Sequence, residues 1–430
     1  MLKAPLRIAL AGLGTVGGGV ARLLLEQRAE FAQRAGRPLD IVMVSARDKR
    51  KRRAADIGNV PWAEDVIELS QSDADVVVEL IGGENGPARS LCDASLRAGK
   101  HVVTANKALL AHRGAELAAL AEEKGLALRF EAAAAGGIPI VKALRESLVA
   151  HRLSAVRGVL NGTCNFILTQ MEATGRSFAE ILAEAQRLGF AEADPTLDID
   201  GGDTAHKLSI LASLAFGVRP SLSDMTVRGI TGVTTQDIMF AREFGFRIKL
   251  LGVARRVGEA MDQCVQPAMV KLGTPLADVD GAFNAVVADA GEAGPYFFEG
   301  RGAGEAPTAS AVIADLLDIA RGETSPAFGR PAVSLKDHIS APPSARVRAF
   351  YLRFEVLDVP GVLAEIAHHL ADCAVSIESM LQRGRSPGEP VAIVMITHEC
   401  TETAVARALN TIAASDKVVH TPCMIPMEAG

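Results

Sequence analysis

The 430-residue chain lacks most of the short signals that would narrow its chemistry by themselves. Its six cysteines, Cys92, Cys164, Cys264, Cys373, Cys400 and Cys423, are scattered without a CxxC pair, which removes the usual zinc and thiol-exchange motifs. No apolar run reaches the roughly 18 residues that suggest a bilayer-spanning helix. The opening MLKAPLRIALAGLGTVGGG runs into a glycine pattern instead of a cleavage site, so a cytoplasmic protein is expected. A net charge of -6, with no basic tail or aromatic-interleaved basic patch, gives no reason to expect nucleic acid or a membrane as partner. The histidines show no ligand spacing, and His368 and His369 share one helix near the C-terminus.

What is present is a folded, multi-domain composition: 49% hydrophobic and 22% charged residues over a length that suggests two to four domains. LRIALA at 6–11, IVMVSA at 41–46, DVVVEL at 75–80, HVVTA at 101–105 and LALRFEAAAAGG at 126–137 read as strands. Helical spacing separates several of them, in GLGTVGGGVARLLLEQ, PARSLCDASLRAG and 108–124. Strands alternating with helices imply an α/β fold with a parallel sheet, a Rossmann-type dinucleotide-binding domain over 1–140. From 141 to 325 the mix of helices, short strands and turns predicts a second, α+β domain. Its helix at 306–322 is suited to return onto the first domain. A Pro- and Ser-rich linker occupies 326–346. Residues 347–430 then alternate as βαββαβ, a ferredoxin-like unit that reads as appended, not inserted.

Gly12, Gly14 and Gly17 form GxGxxG between the first strand and first helix. The first glycine permits the turn, the second removes bulk beneath a pyrophosphate and the third lets helix meet strand. With Leu13, Thr15 and Val16 these residues form the candidate phosphate-binding turn. The second strand ends at Ser45-Ala46-Arg47 with no acid to take ribose hydroxyls, so Arg47 favours NADP over NAD. Lys51, in the basic run 49–53, is a possible helper, while Asp48 weakens the preference.

Thr104 and Lys107 follow a strand whose carboxyl end is where ligands gather in such sheets. The densest polar segment is AEADPTLDIDGGDTAHK at 191–207. A helix from Gly202 to Leu214 sets Asp203 and Lys207 on one face, with Glu192 and Asp198 arriving on the preceding loop. The bland reading is a surface ion pair. Against it, LSILASLAF continues that helix as an apolar and therefore buried segment. A carboxylate and ammonium at the mouth of a buried helix suit a zwitterionic substrate and a reacting oxygen. A Mg²⁺ or Ca²⁺ site is the alternative, disfavoured by the lysine and the lack of calcium-loop spacing. His206 falls between faces and reads as a packing or supporting residue.

These segments resemble the homoserine dehydrogenase family, through GLGTVG at 12–17, TANKALLA at 104–111, NGTCNFIL at 161–168 and AQRLGFAEADPTLDIDGGDTAHK at 185–207. The family commonly has tyrosine where this chain has Phe166. The resemblance implies reversible NAD(P)H-dependent reduction of L-aspartate 4-semialdehyde to L-homoserine, in threonine, methionine and isoleucine biosynthesis. It implies a catalytic and dimerisation role for the domain over 141–325, and Lys207 and Lys107 as catalytic residues, with Glu192, Asp198 and Asp203 holding substrate. Lys107 beside Lys207 would lower the latter's proton affinity toward neutrality. Gly189 and Gly302 join the cofactor contacts. A monovalent-cation site, usually sodium, would use Glu131, Ala134, Gly136 and Ile138, mainly through carbonyls.

The terminal unit, with DVPGVL at 358–363, resembles an ACT regulatory domain. That resemblance implies L-threonine as feedback inhibitor near Asp358, Gly361, Val362 and Leu363, and a homodimer or homotetramer. A cut near residue 340 would then spare turnover and abolish inhibition. No aspartokinase portion is present, so a monofunctional enzyme is expected. A non-catalytic nucleotide-binding sensor of amino acids is the alternative from another class, and a related NADP-dependent dehydrogenase the alternative enzyme. Cys164 lacks the setting of an acyl-forming nucleophile.

Overall fold

A computed structural model describes residues 3–50, 55–383 and 390–428. Its first sheet is wholly parallel, in the order 39–45, 6–11, 76–79, 101–104, 128–129. Ile8, Ala9, Leu10 and Val76 to Val78 are fully buried, as expected of strands covered on both faces. The second strand lies on one side of the first and the third on the other. The order therefore reverses beside Leu6–Ala11, opening a crevice at its carboxyl end. Gly12, at φ 93, makes that turn; a Cβ there would lie 2.6 Å from the Leu80 carbonyl oxygen.

The run 126–137 is strand only at Leu128–Arg129 and then turns as a short 3-10 segment, Glu131–Ala133. Alanines offer little of the branched bulk that favours strands. The chain is also pulled inward: Glu131 N–H donates to Asp315, and its carboxylate accepts the N–H groups of Val141 and Lys142.

The helix Glu305–Arg321 lies against the helix Thr15–Glu26. Gly19 leaves the room, since a Cβ would come within 2.6 Å of Glu305, and Arg22 pairs with Glu305 at 2.9 Å. Val312 and Leu316 join the same core as Leu10 and Val20.

A second, mixed sheet runs 295–301, 283–289, 155–159, 246–257, 260–271, 423–428, 350–357, 390–397, 377–382. Its last four strands, with helices Val362–Asp372 and Glu402–Ile412, form the βαββαβ unit around Phe354, Ile366, Ile393 and Val405. The unit is not simply appended, because strand Cys423–Glu428 pairs in parallel with Ala260–Lys271, setting Met427 across from Met269. Two buried carboxylates also cross the boundary. Asp237 accepts Arg353 Nε at 2.7 Å and the Tyr351 hydroxyl at 3.0 Å. Asp262 pairs with Arg346 at 2.7 Å and Arg348 at 3.2 Å. A cut near residue 340 strips both carboxylates of these partners, and uncompensated buried charge is strongly destabilising. Point substitution is therefore the cleaner way to probe this unit.

Candidate functional site

A cleft of about 550 Å³ opens where the two domains meet. Val16, Ala105 and Lys107 come from the first domain, while Asn161, Glu192, Asp198, Asp203 and Lys207 face them from the second. Gly136, Gly189 and Gly302 complete part of the wall. Gly136 and Gly302 touch through backbone, since a Cβ on Gly136 would fall 2.3 Å from the Gly302 carbonyl oxygen.

Asp203 is the hub. The helix Gly202–Phe216 buries all of its residues except Gly202 and His206 at least nine-tenths, so the carboxylate at its first turn enters an almost dry environment. Lys207 Nζ donates to Asp203 Oδ2 at 2.7 Å, and Lys107 Nζ stands 2.9 Å from Oδ1. Burial alone would raise this carboxyl, but Lys207 and Lys107 overcome it and hold Asp203 well below the ordinary range. The same carboxylate raises Lys107 against the effect of burial. A single buried anion thus lies between the two ammonium groups and favours the charged form of Lys107.

Lys207 Nζ also donates to the Leu160 carbonyl at 2.7 Å. An ammonium has three donors, so one remains for a ligand in the cleft. Asn161 ties the acids together: its Nδ2 lies 2.7 Å from Asp198 Oδ1 and 2.8 Å from Asp203 Oδ2, while its Oδ1 caps the helix Gly162–Thr174 through Cys164 N–H. Burial, then Asp203, raises the Asp198 carboxyl. Glu192 stands exposed on the cleft rim.

The glycine turn lies beside this cleft. A Cβ at Gly17 would fall 1.8 Å from the Gly12 carbonyl oxygen, whereas one at Gly14 would meet no protein atom within 4 Å. The helix Thr15–Glu26 thus presents its N-terminus to open space, as a pyrophosphate requires. Leu13 is buried in the core, leaving its backbone alone to meet a ligand, and Thr15 is exposed. Arg47 is exposed just beyond the second strand; Lys51 lies outside the described residues.

Thr104, like Leu13, leaves only its backbone for a cofactor. Its fully buried hydroxyl donates to Glu79 Oε2 at 2.6 Å and accepts Asn106 N–H, so the side chain fixes the strand end and does not reach the cleft. Cys164 is buried, its thiol pushed well up by burial, and its Sγ is 3.2 Å from the Asp198 carbonyl oxygen. That is the setting of an inert thiol. His206 packs edge-on against His112, with ring centroids 5.7 Å apart, and burial followed by His112 lowers its proton affinity.

Asn161 entered the sequence reading only as the first residue of NGTCNFIL; its bridge to acids 37 and 42 residues away has no local signature. Asn284, a buried cleft residue ahead of the apolar run Ala285–Ala288, gave no signal at all.

Comparison with known proteins agrees with this layout. A family described as "Homoserine dehydrogenase" matches residues 139–317, and "Homoserine dehydrogenase, NAD binding domain" matches 12–131. A homoserine dehydrogenase of Pseudomonas aeruginosa is 42% identical over 422 residues, covering 96% of each chain. The crystal structure of a homoserine dehydrogenase from Thiobacillus denitrificans superposes with a TM-score of 0.94 at 42% identity, covering 100% of both chains. A hyperthermophilic archaeal homoserine dehydrogenase in complex with NADPH aligns with a TM-score of 0.63 at 26% identity, over 73% of this chain and 97% of its own.

Proposed function

The chain belongs to the homoserine dehydrogenase family, and from that premise we propose which of its residues carry the reaction and its control. It is an NAD(P)-dependent oxidoreductase that interconverts L-homoserine and L-aspartate 4-semialdehyde in aspartate-family amino-acid biosynthesis. The dinucleotide, when bound, supplies the hydride for the aldehyde carbon or accepts it from the alcohol carbon. Lys207 is the proton donor and acceptor at the substrate oxygen. The observation that carries this reading is its ammonium, held by Asp203 and Leu160 with one N–H left for the cleft. In reduction, that N–H polarises the aldehyde oxygen and then gives its proton to the alkoxide; in oxidation, the neutral amine takes it back. Lys107, kept charged by Asp203, adds positive charge beside the same oxygen. Glu192 and Asp198 hold the substrate's ammonium, with Asp203 fixing the two lysines and sharing in that recognition. Their removal by substitution is treated in the Discussion.

The turn at Gly12 to Gly17 holds the pyrophosphate, and Gly189 and Gly302 contact the cofactor nearer the reacting end. NADP is preferred over NAD because Arg47, exposed at the strand end, pairs with the 2′-phosphate. One charge-assisted contact contributes about 1.5–3 kcal/mol. Arg47→Ala should therefore raise KM for NADPH roughly 10- to 100-fold and leave KM for NADH nearly unchanged. Equal changes for both cofactors would remove Arg47 from this role.

A monovalent cation, sodium, sits among the carbonyls of Glu131, Ala134, Gly136 and Ile138. Two observations support it. Ala135 and Gly136 both adopt positive φ, 58 and 48, turning successive carbonyls within a short segment. Glu131 and Asp315 also place two buried acids beside this segment, the one accepting the N–H groups of Val141 and Lys142 and the other that of Glu131. No cluster of three acidic, histidine or cysteine side chains suited to a metal occurs among the described residues, so a cation here relies on carbonyls. The melting temperature should be higher in sodium chloride than in choline chloride of equal ionic strength. Identical melting curves would contradict the site.

The terminal βαββαβ unit is an ACT domain that senses L-threonine through Asp358, Gly361, Val362 and Leu363. Support comes from the turn there: Gly361 at φ 91 opens the helix Val362–Asp372, Val362 is buried and Leu363 is 36% exposed, a ledge suited to a small amino acid. Asp358→Ala should weaken threonine inhibition at least about 10-fold, the worth of one charged contact, with kcat unchanged. Inhibition at the original threonine concentration would refute the assignment.

A further inference from the structure

The Leu160 carbonyl that holds Lys207 has a second donor. Asn284 Nδ2 lies 2.9 Å from it, alongside Lys207 Nζ at 2.7 Å. Asn284 belongs to the strand Phe283–Asp289, which pairs antiparallel with Ala155–Val159 and sets Ala285 across from Val159. The side chain therefore meets Leu160 one residue beyond the end of the neighbouring strand. Its amide can face only one way, because exchanging nitrogen and oxygen would press Asn284 Oδ1 against the Leu160 oxygen, two acceptors with no proton between them. A carbonyl has two lone pairs, and here Asn284 and Lys207 fill both.

Packing also confines the amide, whose Oδ1 has no hydrogen-bond partner among the described residues. Asn284 is 1% exposed. A Cβ on Gly302 would fall 2.0 Å from its Nδ2, and one on Gly162 would fall 3.4 Å from its Oδ1. Gly302 lines the cleft, and its bare backbone makes the room in which this amide lies, while the Gly162 position is in ordinary contact with it. Such space would be wasted on a residue that merely filled the core, for which an apolar side chain would serve without the cost of desolvating an amide.

We infer that Asn284 is a positioning residue for the reaction. By occupying one lone pair of the Leu160 carbonyl, it fixes the direction from which that carbonyl holds the Lys207 ammonium and aims the remaining N–H at the reacting oxygen. Asp203 alone fixes one of the three N–H directions and leaves the ammonium free to rotate about that bond; the Leu160 carbonyl, held still by Asn284, removes this freedom. The inference rests on Lys207 being the proton donor and acceptor.

Two variants test it in homoserine oxidation, Asn284→Leu, which removes the donor but keeps the branched side-chain shape, and Asn284→Ser, which keeps a shorter donor at the expense of a cavity. Misplacement of a reacting group by about 1 Å costs on the order of 100-fold. Asn284→Leu should therefore lose about 30- to 100-fold in kcat. KM for homoserine and Kd for NADPH should stay within about 3-fold, as expected of a residue that acts through the Lys207 ammonium. Asn284→Ser should retain more kcat than Asn284→Leu, so that activity follows the presence of a donor whatever the order of melting temperatures. If Asn284→Leu does not fold, Asn284→Ser must still lose kcat at unchanged KM. Normal kcat in the leucine variant, a serine variant no better than leucine, or kcat, KM and Kd moving together would each overturn the inference. Lys207→Ala separates the two levels. If it is inactive while Asn284→Leu is active, only the role of Asn284 falls; if it is active, the assignment of Lys207 falls.

Discussion

Replacing Lys207 by alanine should lower kcat in homoserine oxidation by about 1000-fold or more, while the affinity for NADPH changes less than about 3-fold. A positioned general acid or base contributes roughly 100- to 10,000-fold, and here the same group also supplies charge to the developing alkoxide. The loss belongs in kcat because the N–H in question is spent on the transition state and not on holding the dinucleotide. Fluorescence titration of NADPH gives the binding term, and steady-state rates give the other. A structural ion pair would yield the opposite pattern: lower stability with nearly normal turnover. The alanine also leaves Asp203 with Lys107 and Asn161 as remaining partners, so the fold should survive.

Asp203→Asn carries the second large effect, and it is of a different kind. The asparagine keeps the shape but removes the anion that both ammonium groups share. Breaking a buried pair by removing one partner typically costs about 3–5 kcal/mol. Some of that is relieved here because the Lys107 side chain is 35% exposed and can deprotonate or turn outward. A fall of about 100- to 1000-fold in kcat/KM for aldehyde reduction is expected, with both kcat and KM affected. The pH dependence gives the sharper signature. Asp203 raises the proton affinity of Lys107, so its loss lowers that affinity. Reduction needs protonated lysines, and its alkaline limb should therefore move to lower pH in the variant. An alkaline limb that stays in place would mean that Asp203 does not set the charge of the site.

The first sheet, the glycine turn and the helix that carries Asp203 and Lys207 were legible because each rests on local rules. Apolar strands end at Gly12, and an apolar helix follows a polar, glycine-bearing loop at 201–202. The i,i+4 spacing of Asp203 and Lys207 needs nothing beyond helix geometry. Lys107 was placed at the right strand end, but its charge state was not, because the effect of Asp203 depends on a contact 96 residues away in sequence. The alanine run after Leu128 reads as strand only until Asp315 and the helix at 140 draw Glu131 inward. The place of the Thr104 hydroxyl was hidden for a similar reason: at a strand end it looks available until buried Glu79 claims it. Asn161 and Asn284 act entirely through tertiary contacts, and a single asparagine within an apolar stretch has no pattern that distinguishes a tether from a packing residue.

The continuity of the second sheet was equally hidden. A βαββαβ alternation describes the terminal unit internally, yet the pairing of Cys423–Glu428 with Ala260–Lys271 sets Met427 across from Met269, 158 residues away. It ties the proposed threonine sensor to the domain that bears Asp203, and the buried Asp237 reinforces the same boundary.

The most direct measurement is a structure of this enzyme with NADP⁺ and L-homoserine bound together. The substrate hydroxyl should lie about 3 Å from Lys207 Nζ, with its carbon roughly 3–3.5 Å from the nicotinamide ring. A hydroxyl bound elsewhere in the cleft, with the Lys207 ammonium still engaged only by Asp203 and Leu160, would contradict the assignment of Lys207.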